Sequence, residues 1–210
     1  MVVKGKRPYH SERRTAAADE TRTRILAAAR SLMAGGGERP FSLDSVAKEA
    51  GVTRLTVYNQ FESKQGLLEA VFDDMARVSR LMEEVPAVFT LADPRAALQR
   101  FVSIMCRFWG FHREAMPRFD ALTRLDEDVA ASLKARRERR RTVLNTLVGR
   151  LQGGRADPEL VDLLYALTGF EMFESLSVNG RRPEAVEAMM QAMVEAALER
   201  YGAGPDKKKA

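Results

Sequence analysis

The sequence of 210 residues predicts an all-α fold, with a small N-terminal three-helix domain followed by a larger helical domain. Apolar residues recur at spacings of three and four in every long segment, and no segment alternates in the manner of a β-strand. Glycines and prolines interrupt this pattern at intervals that suit helix ends. A chain of this length can bury one large core or two small ones.

Residues 41–68 contain two short helical patterns on either side of Gly51. Glycine accepts a positive φ without steric cost, so the first helix can end and the chain can turn there. Thr53 follows and can cap the next helix by accepting a bond from a free backbone N–H. A helix, a short glycine turn and a capped helix form the layout of a helix-turn-helix, whose second helix enters the major groove of DNA.

The spacing within the second helix predicts which side chains are free to contact DNA. Val57 and Phe61 share one face and should pack inward together with Val52 from the turn. On the outer face, Arg54 can bind guanine and Asn59 can bind adenine bidentately, while Leu55 can touch a thymine methyl group. Phosphate contacts, which fix register rather than read bases, are predicted for Thr56, Tyr58, Gln60 and Lys64, and for the helix starts at Ser42 and Ser63. Thr53 is a further candidate for DNA binding.

The pattern AxxAGVTxxTVYNxF, followed by SKxxLL, resembles the DNA-binding domain of the TetR family of bacterial transcriptional regulators. Residues 21–33 are similar to the first helix of that domain, with an apolar stripe of Ile25, Ala28, Ala29 and Leu32. Two positions depart from the family pattern. Gln60 stands where His or Tyr is usual, and Leu55 where Gly, Pro or Ala is common.

Positive charge is concentrated in the N-terminal part of the chain. Residues 1–64 contain 12 Lys and Arg against 7 Asp and Glu, whereas the remaining residues contain 22 of each kind. This distribution is expected of a DNA-binding domain joined to a neutral one. We predict a flexible basic arm at residues 1–18, the DNA-binding domain at 19–66, an effector-binding and dimerisation domain at 67–202, and a disordered basic tail at 203–210. The arm is either a solvated tail or a segment that enters the minor groove.

Long helices are predicted throughout the second part. The apolar patterns place one helix at residues 63–84, with Pro86 interrupting the pattern, and another that begins at residue 94 and continues until Pro117 breaks it. A short bridging segment at 119–125 precedes a helix at 126–151, and two further helices are expected at 158–178 and 183–201. Asp-Pro pairs at 93–94 and 157–158 give a cap followed by proline at the first helical position.

Aromatic and methionine side chains are dense between residues 105 and 119. Ordinary core packing explains each of them singly, whereas the group also suits an adaptable apolar cavity. The resemblance implies that effector binding in such a cavity changes the affinity for DNA. The predicted ligand site comprises Met105, Phe108, Trp109, Met116 and Phe119, with His112, Asp120, Tyr165 and Glu171 as candidate polar groups.

The residue inventory argues against an enzyme. The chain has two histidines, His10 and His112, and one cysteine, Cys106, and no two of them lie at metal-ligand or nucleophile–base spacing. We therefore predict no catalytic residue, no metal and no cofactor. The lone cysteine and the lack of an apolar run of 18 residues predict a cytoplasmic protein that does not enter membranes. A basic run at 134–141 fits a solvated helix face better than a second nucleic-acid patch.

These features and the resemblance to the TetR family together predict a homodimeric repressor that a small apolar or amphipathic effector releases from a palindromic operator. The resemblance implies that the last two helices pair with those of a second copy as a four-helix bundle. Their apolar faces comprise Leu160, Leu163, Leu164, Leu167, Phe170, Val186, Met189, Met190, Met193, Val194 and Leu198. The alternatives are a DNA-binding regulator without a small-molecule effector, an activator, or a helical interaction or scaffold protein.

Overall fold

The computed structural model describes residues 9–35, 40–124 and 127–201, and within these ranges every regular element is helical. The all-α prediction is therefore confirmed. In chain order the helices are α1 (Tyr9–Ala34), α2 (Leu43–Ala50), α3 (Arg54–Phe61), α4 (Lys64–Val78), α5 (Leu81–Ala87), α6 (Pro94–His112), α7 (Met116–Arg124), α8 (Glu127–Leu151), α9 (Pro158–Leu167), α10 (Phe170–Leu176) and α11 (Pro183–Arg200), with a 3-10 turn at Val88–Thr90.

Two compact units make up the chain, and the division between them falls between Phe72 and Asp73. This division and the predicted domain boundary at residues 66–67 both lie within α4. The first unit has its own core, in which α1 packs on α2 and α2 on α3. Its fully buried side chains include Ile25, Met33, Val46, Val57, Leu67, Leu68 and Val71.

Helix α6 is the centre of the second unit. It packs against α8, α10 and α11, and ten of its nineteen residues are buried. Asp93 caps α6 by accepting a hydrogen bond from the backbone N–H of Arg95 at 2.9 Å. Helices α8, α9 and α11 contribute Leu144, Leu147, Val148, Leu160, Leu164, Val186, Met190, Val194 and Leu198 to the core of this unit.

The first helix begins earlier than the sequence predicts. Helix α1 starts at Tyr9, so residues 9–18 of the predicted flexible arm are helical. Three consecutive alanines at 16–18 explain the extension, because alanine has the highest intrinsic helix propensity. The rest of the arm, residues 1–8, and the predicted tail at 203–210 lie outside the described residues.

The predicted helix at residues 63–84 is wrong, because the structure divides it. Helix α4 ends at Val78, and Arg80 has a left-handed backbone with φ of 60° before α5 begins. The hydroxyl of Ser79 donates to the carbonyl of Met75 at 2.8 Å, a local bond of the kind that competes with regular helix. Pro86 lies inside α5, close to its end, and does not separate two helices.

Three other predicted bounds in the second unit differ from the structure. Helix α6 ends at His112, five residues before Pro117, and the segment predicted as a bridge belongs to helix α7. Proline fits there because the second position of a helix needs no intrahelical N–H donor. The predicted helix at 158–178 is interrupted at Thr168 and Gly169, where Gly169 adopts an extended backbone with φ of −78° and ψ of 163°.

Candidate functional site

The turn of the helix-turn-helix is built by local capping bonds. Ser42 accepts a bond from the backbone N–H of Ser45 at 3.1 Å, while the side chain of Ser45 accepts from the N–H of Ser42 at 3.0 Å. This reciprocal capping box starts α2. Gly51 ends the helix with φ of 65°, and the N–H of Val52 donates to the carbonyl of Ala47 at 3.0 Å. The predicted left-handed glycine turn is therefore confirmed.

Helix α3 begins as its sequence predicts and is held by two apolar anchors. The hydroxyl of Thr53 accepts a bond from the backbone N–H of Thr56 at 3.1 Å. Val57 and Phe61 are buried, and Val52 in the turn is only half-buried. The inward face expected for Val57 and Phe61 is thus present. The opposite face of the helix remains open to a partner.

The side chains predicted to contact DNA divide into two groups by exposure. Arg54, Leu55, Tyr58 and Asn59 on α3 are exposed, as are Thr53 and Lys64 at the helix starts. Ser42, Thr56 and Gln60 are half-buried. The guanidinium of Arg54 lies 3.7 Å from the carboxylate of Asp44, and both side chains are about two-thirds exposed. Such a surface ion pair is worth little, so it can be exchanged for a nucleic-acid contact.

The structure adds a positioning residue, Arg22, that the sequence pattern does not identify. Its Nη1 donates to the backbone carbonyl of Gln60 at 3.0 Å, and its guanidinium lies 4.5 Å from the centre of the Phe61 ring. These contacts tie α1 to the end of α3. In the sequence, Arg22 stands three residues before the apolar residue Ile25. This spacing does not reveal which residue Arg22 contacts.

Helix α4 starts immediately after α3 through a tight connection. The hydroxyl of Ser63 accepts a bond from the backbone N–H of Gly66 at 2.9 Å, which caps α4 beside Lys64. Glu62 has a positive φ of 63°, and its N–H donates to the carbonyl of Tyr58 at 2.7 Å. A Cβ atom at Gly66 would lie 2.2 Å from the carbonyl oxygen of Phe61. The close approach of the two helices therefore requires glycine at this position.

The predicted ligand cluster is a packed aromatic group in the second unit. The rings of Phe108 and Trp109 meet edge to face at a centroid distance of 4.7 Å, and those of Trp109 and Phe170 at 5.7 Å. Trp109 Nε1 donates to the carbonyl of Thr168 at 2.9 Å, which satisfies its polar atom. Met105, Met116 and Phe119 are buried as well.

His112 is buried within the same unit and has a backbone partner. Its Nε2 lies 2.9 Å from the carbonyl oxygen of Met75, so the ring bonds to α4. The rings of Phe108 and Phe111 lie edge to face against it, at 5.0 Å and 4.9 Å. These contacts fit a structural histidine. They do not leave Nε2 pointing at an open site.

The other candidate polar groups occupy different surroundings. Asp120 is half-buried and forms an ion pair with Arg124 of its own helix at 2.7 Å. Glu171 is exposed. Tyr165 is half-buried, with the guanidinium of Arg140 4.0 Å from the centre of its ring and that of Arg141 at 4.3 Å. Tyr165 is therefore part of an arginine–aromatic cluster.

Arg140 departs from the solvated face predicted for residues 134–141. Its side chain is half-buried, and it shares a helix face with the buried residues Leu144 and Leu147 at spacings of four and seven. Burial lowers the pKa of the Arg140 guanidinium, and the nearby Tyr165 and Glu171 oppose this effect in part. The four-residue spacing to Leu144 could have predicted that Arg140 is partly buried, but the high charge of the run favoured a solvated face instead.

The chemistry of Cys106 fits a core residue. Its Sγ lies 3.4 Å from Met190 Sδ in the buried interior. Burial, with a smaller contribution from the charge of Glu187, raises the pKa of the thiol to about 12. A thiol that stays protonated is a poor nucleophile. In the part of the chain that the structure describes, no group of three His, Cys, Asp or Glu side chains could hold a metal, and no helix could cross a membrane.

Comparisons with known proteins agree with this geometry. Residues 25–71 match the family model of bacterial regulatory proteins of the tetR family. The chain is 31% identical over 99 residues to the HTH-type transcriptional regulator EthR of Mycolicibacterium smegmatis, a match that covers 45% of this chain and 43% of EthR. It is 47% identical over 60 residues to the regulator SrpR of Pseudomonas putida, which covers 28% of each protein. These matches span less than half the length of either relative.

Solved structures with the same fold extend over most of the chain. A transcriptional regulator from Rhodococcus sp. superposes with a TM-score of 0.67 at 20% identity, covering 85% of this chain and 96% of the other. The regulator LfrR from Mycobacterium smegmatis, solved in complex with proflavine, gives a TM-score of 0.55 at 22% identity, covering 86% and 97%. At these identities the likeness concerns the fold. The chain is thus a helix-turn-helix protein with a helical C-terminal domain. Its residues 25–71, which contain the helix-turn-helix, are of the TetR family type.

Proposed function

We propose that this protein is a homodimeric transcriptional repressor that binds a palindromic operator in the cytoplasm and is released by a small effector. The observation that carries this proposal is the outer face of α3. A capped glycine turn presents Arg54, Leu55, Tyr58 and Asn59 to solvent, while Val57 and Phe61 hold the opposite face in the core. Large apolar and aromatic side chains exposed beside an arginine suit a surface that binds a groove.

Base reading and phosphate binding should separate on this surface. Arg54→Ala or Asn59→Ala should lower the affinity for the specific operator by about 1–3 kcal/mol and relax its sequence preference. Lys64→Ala should weaken binding to all sequences similarly and reduce the salt dependence, because it removes a phosphate contact. Gel-shift titrations with an operator selected from random duplexes, and with a scrambled duplex of equal length, measure both effects at several salt concentrations.

Arg80→Ala is the matched control for this experiment. The side chains of Arg54 and Arg80 are 69% and 70% exposed, and each pairs with one neighbouring carboxylate, but Arg80 lies outside the helix-turn-helix. Its replacement should leave operator binding unchanged. Equal affinity of the wild-type protein for selected and scrambled duplexes would contradict sequence-specific binding. If the protein binds neither duplex, the interpretation as a helical interaction or scaffold protein would replace that of a DNA-binding regulator.

Helices α9 and α11 support the proposed dimer through their outer faces. Most of the apolar residues expected to pair with a second copy are already buried within the protomer, among them Leu164, Leu167 and Met190. Leu163 and Met189 remain exposed. Small exposed side chains accompany them and allow two helices to approach closely, namely Ala166, Ala188, Ala192 and Ala196. The interface we propose is therefore narrower than the sequence pattern suggests.

The effector site that we propose is the aromatic group around Trp109. Its rings and methionines offer an apolar wall, and LfrR, a protein of the same fold, is known in complex with the small molecule proflavine. A filled core is the rival interpretation of this group. It would leave a regulator without a small-molecule effector, and the same DNA-binding surface could serve an activator.

Effector and operator binding should be coupled. Coupling between sites is typically about 1–3 kcal/mol, so an effector should change operator affinity by roughly 5- to 150-fold. By reciprocity, operator DNA should weaken effector binding by the same factor. Trp109, the sole tryptophan, reports on the proposed site by fluorescence. Apolar and amphipathic compounds are screened in this way, and each that binds is then titrated with and without operator. Identical affinities in both titrations would refute the coupling, and a broad screen without binding would favour the filled core.

A further inference from the structure

Arg140 of α8 places a positive charge beside the aromatic group of the proposed effector site. Its guanidinium lies 4.0 Å from the centre of the Tyr165 ring and 5.9 Å from that of Trp109. Trp109 in turn contacts Phe108 and Phe170 edge to face. A cation and a continuous apolar wall therefore meet at one place.

One end of this guanidinium has an unmet bonding requirement. Arg140 Nη1 is buried and has no hydrogen-bond partner among the residues that the structure describes. It lies near the break between α9 and α10, where a Cβ at Gly169 would be 3.3 Å from it. The neighbouring Arg141 pairs with Asp162 and Glu138, so its charge is already compensated. A buried donor without an acceptor costs free energy, which a bound anion would recover.

We propose that the effector is an amphipathic anion, whose charged group binds Arg140 while its apolar part packs on Trp109 and its aromatic neighbours. This inference rests on the proposed function and assigns the chemical class of the effector. Arginine suits the role because its planar fork binds a carboxylate or phosphate group through two parallel bonds. An anion held between Arg140 and the aromatic wall would satisfy Nη1.

Two features of the site define the rival interpretations. Stacking on Tyr165 gives Arg140 a packing role even without a ligand. Glu171 is a competing anion, since its Oε2 would lie 3.2 Å from the same Cβ position at Gly169. Glu171 is exposed, however, and water screens its charge, so it is a weak counter-ion for a buried donor. A ligand shielded from water would interact more strongly.

Matched probes that differ only in the charged group test the proposal on the full-length protein. Octanoate, 1-octanol and octylammonium form an alkyl series, and 2-naphthoate and 2-naphthalenemethanol form an aryl pair. Isothermal titration calorimetry measures their affinities directly, which avoids the effect of an Arg140 substitution on Trp109 fluorescence. In at least one series the anion should bind about tenfold or more tightly than its neutral partner, because hydrogen bonds to charged groups contribute about 1.5–3 kcal/mol.

Substitutions then assign this preference to Arg140. Arg140→Met should abolish the preference for the anion and leave the affinity for the neutral probe unchanged, whereas Arg140→Lys should retain part of it. Arg139→Met is the matched control, because Arg139 is the exposed neighbour on the same helix. Glu171→Gln should leave anion binding unchanged or strengthen it. Thermal unfolding followed by circular dichroism checks that each variant is folded.

Several outcomes would overturn the inference. They are no binding in either series, equal or tighter binding of the neutral or cationic probes, and a preference for the anion that persists in Arg140→Met. A purely packing role for Arg140 would lower the unfolding temperature in Arg140→Met without changing the order of the probes. Operator binding by the wild-type protein without any probe is measured in parallel. It tests the proposed function separately, so a failure of the anion site and a failure of DNA binding are distinguished.

Discussion

Replacing Met189 by glutamate should convert the proposed dimer into folded monomers and lower operator affinity by at least about 100-fold. Met189 is 38% exposed on the outer face of α11, so the protomer core does not depend on it. In the proposed dimer the new carboxylate would be buried without a partner, which strongly destabilises an interface. Two linked DNA-binding domains gain about 10²–10⁴ in affinity over one, and a monomer loses this gain. Light scattering gives the mass, and gel shifts with the selected operator give the affinity.

Controls separate loss of the dimer from loss of the fold. Met82→Glu introduces the same charge at a methionine that is 59% exposed on α5, and it should remain dimeric. Leu163→Glu changes the partner helix α9 and should reproduce the effect of Met189→Glu. Leu167→Glu, in contrast, should misfold, because Leu167 is buried within the protomer. A Met189→Glu protein that remains dimeric and binds the operator with full affinity would refute the proposed interface.

Gly66→Ala should unfold or distort the DNA-binding unit although it adds only one methyl group. The new Cβ would lie 2.2 Å from the carbonyl oxygen of Phe61, which is backbone and cannot move aside as a side chain could. The connection between α3 and α4 would have to shift. We expect the free energy of unfolding to fall by at least about 1–3 kcal/mol and operator binding to be lost.

Gly35→Ala is the matched control in the same unit. A Cβ at Gly35 would have its nearest neighbours at 3.5 Å and 3.9 Å, which are ordinary contacts. This variant should be as stable as the wild type, or slightly more so, because alanine restricts the unfolded chain. Urea unfolding followed by circular dichroism compares the two variants. If Gly66→Ala unfolds at the same urea concentration as Gly35→Ala, the two helices do not require this close approach.

The helix-turn-helix could be predicted from the sequence because local chemistry determines it. Ser42 and Thr53 cap the helices that follow them, and Gly51 adopts the left-handed conformation that glycine tolerates because it has no Cβ. The buried pair Val57 and Phe61 follows directly from helical spacing. Each of these features depends on residues within a few positions of one another. The candidate DNA-contacting face of α3 could therefore be identified without a structure.

Features that depend on distant contacts could not be predicted in this way. The break at Thr168 and Gly169 interrupts an apolar pattern that continues in the sequence, and the carbonyl of Thr168 accepts its bond from Trp109, 59 residues earlier. Arg22 bonds to Gln60, and Arg140 stacks on Tyr165, in each case across a separation that no local spacing encodes. For Arg140, the charge of the run at residues 134–141 suggested a solvated side chain.

The turn at Gly51 restricts which mutations can accumulate there. The restriction comes from the backbone conformation of this residue, not from a lack of room for a side chain. With φ of 65°, this residue occupies a conformation that most side chains disfavour, yet an added Cβ would meet no atom within 4 Å. The size of a replacement therefore matters less than its tolerance of the left-handed region. Asparagine and aspartate adopt that region more readily than alanine or valine. Under neutral drift, position 51 should accept a larger polar residue before it accepts a small β-branched one.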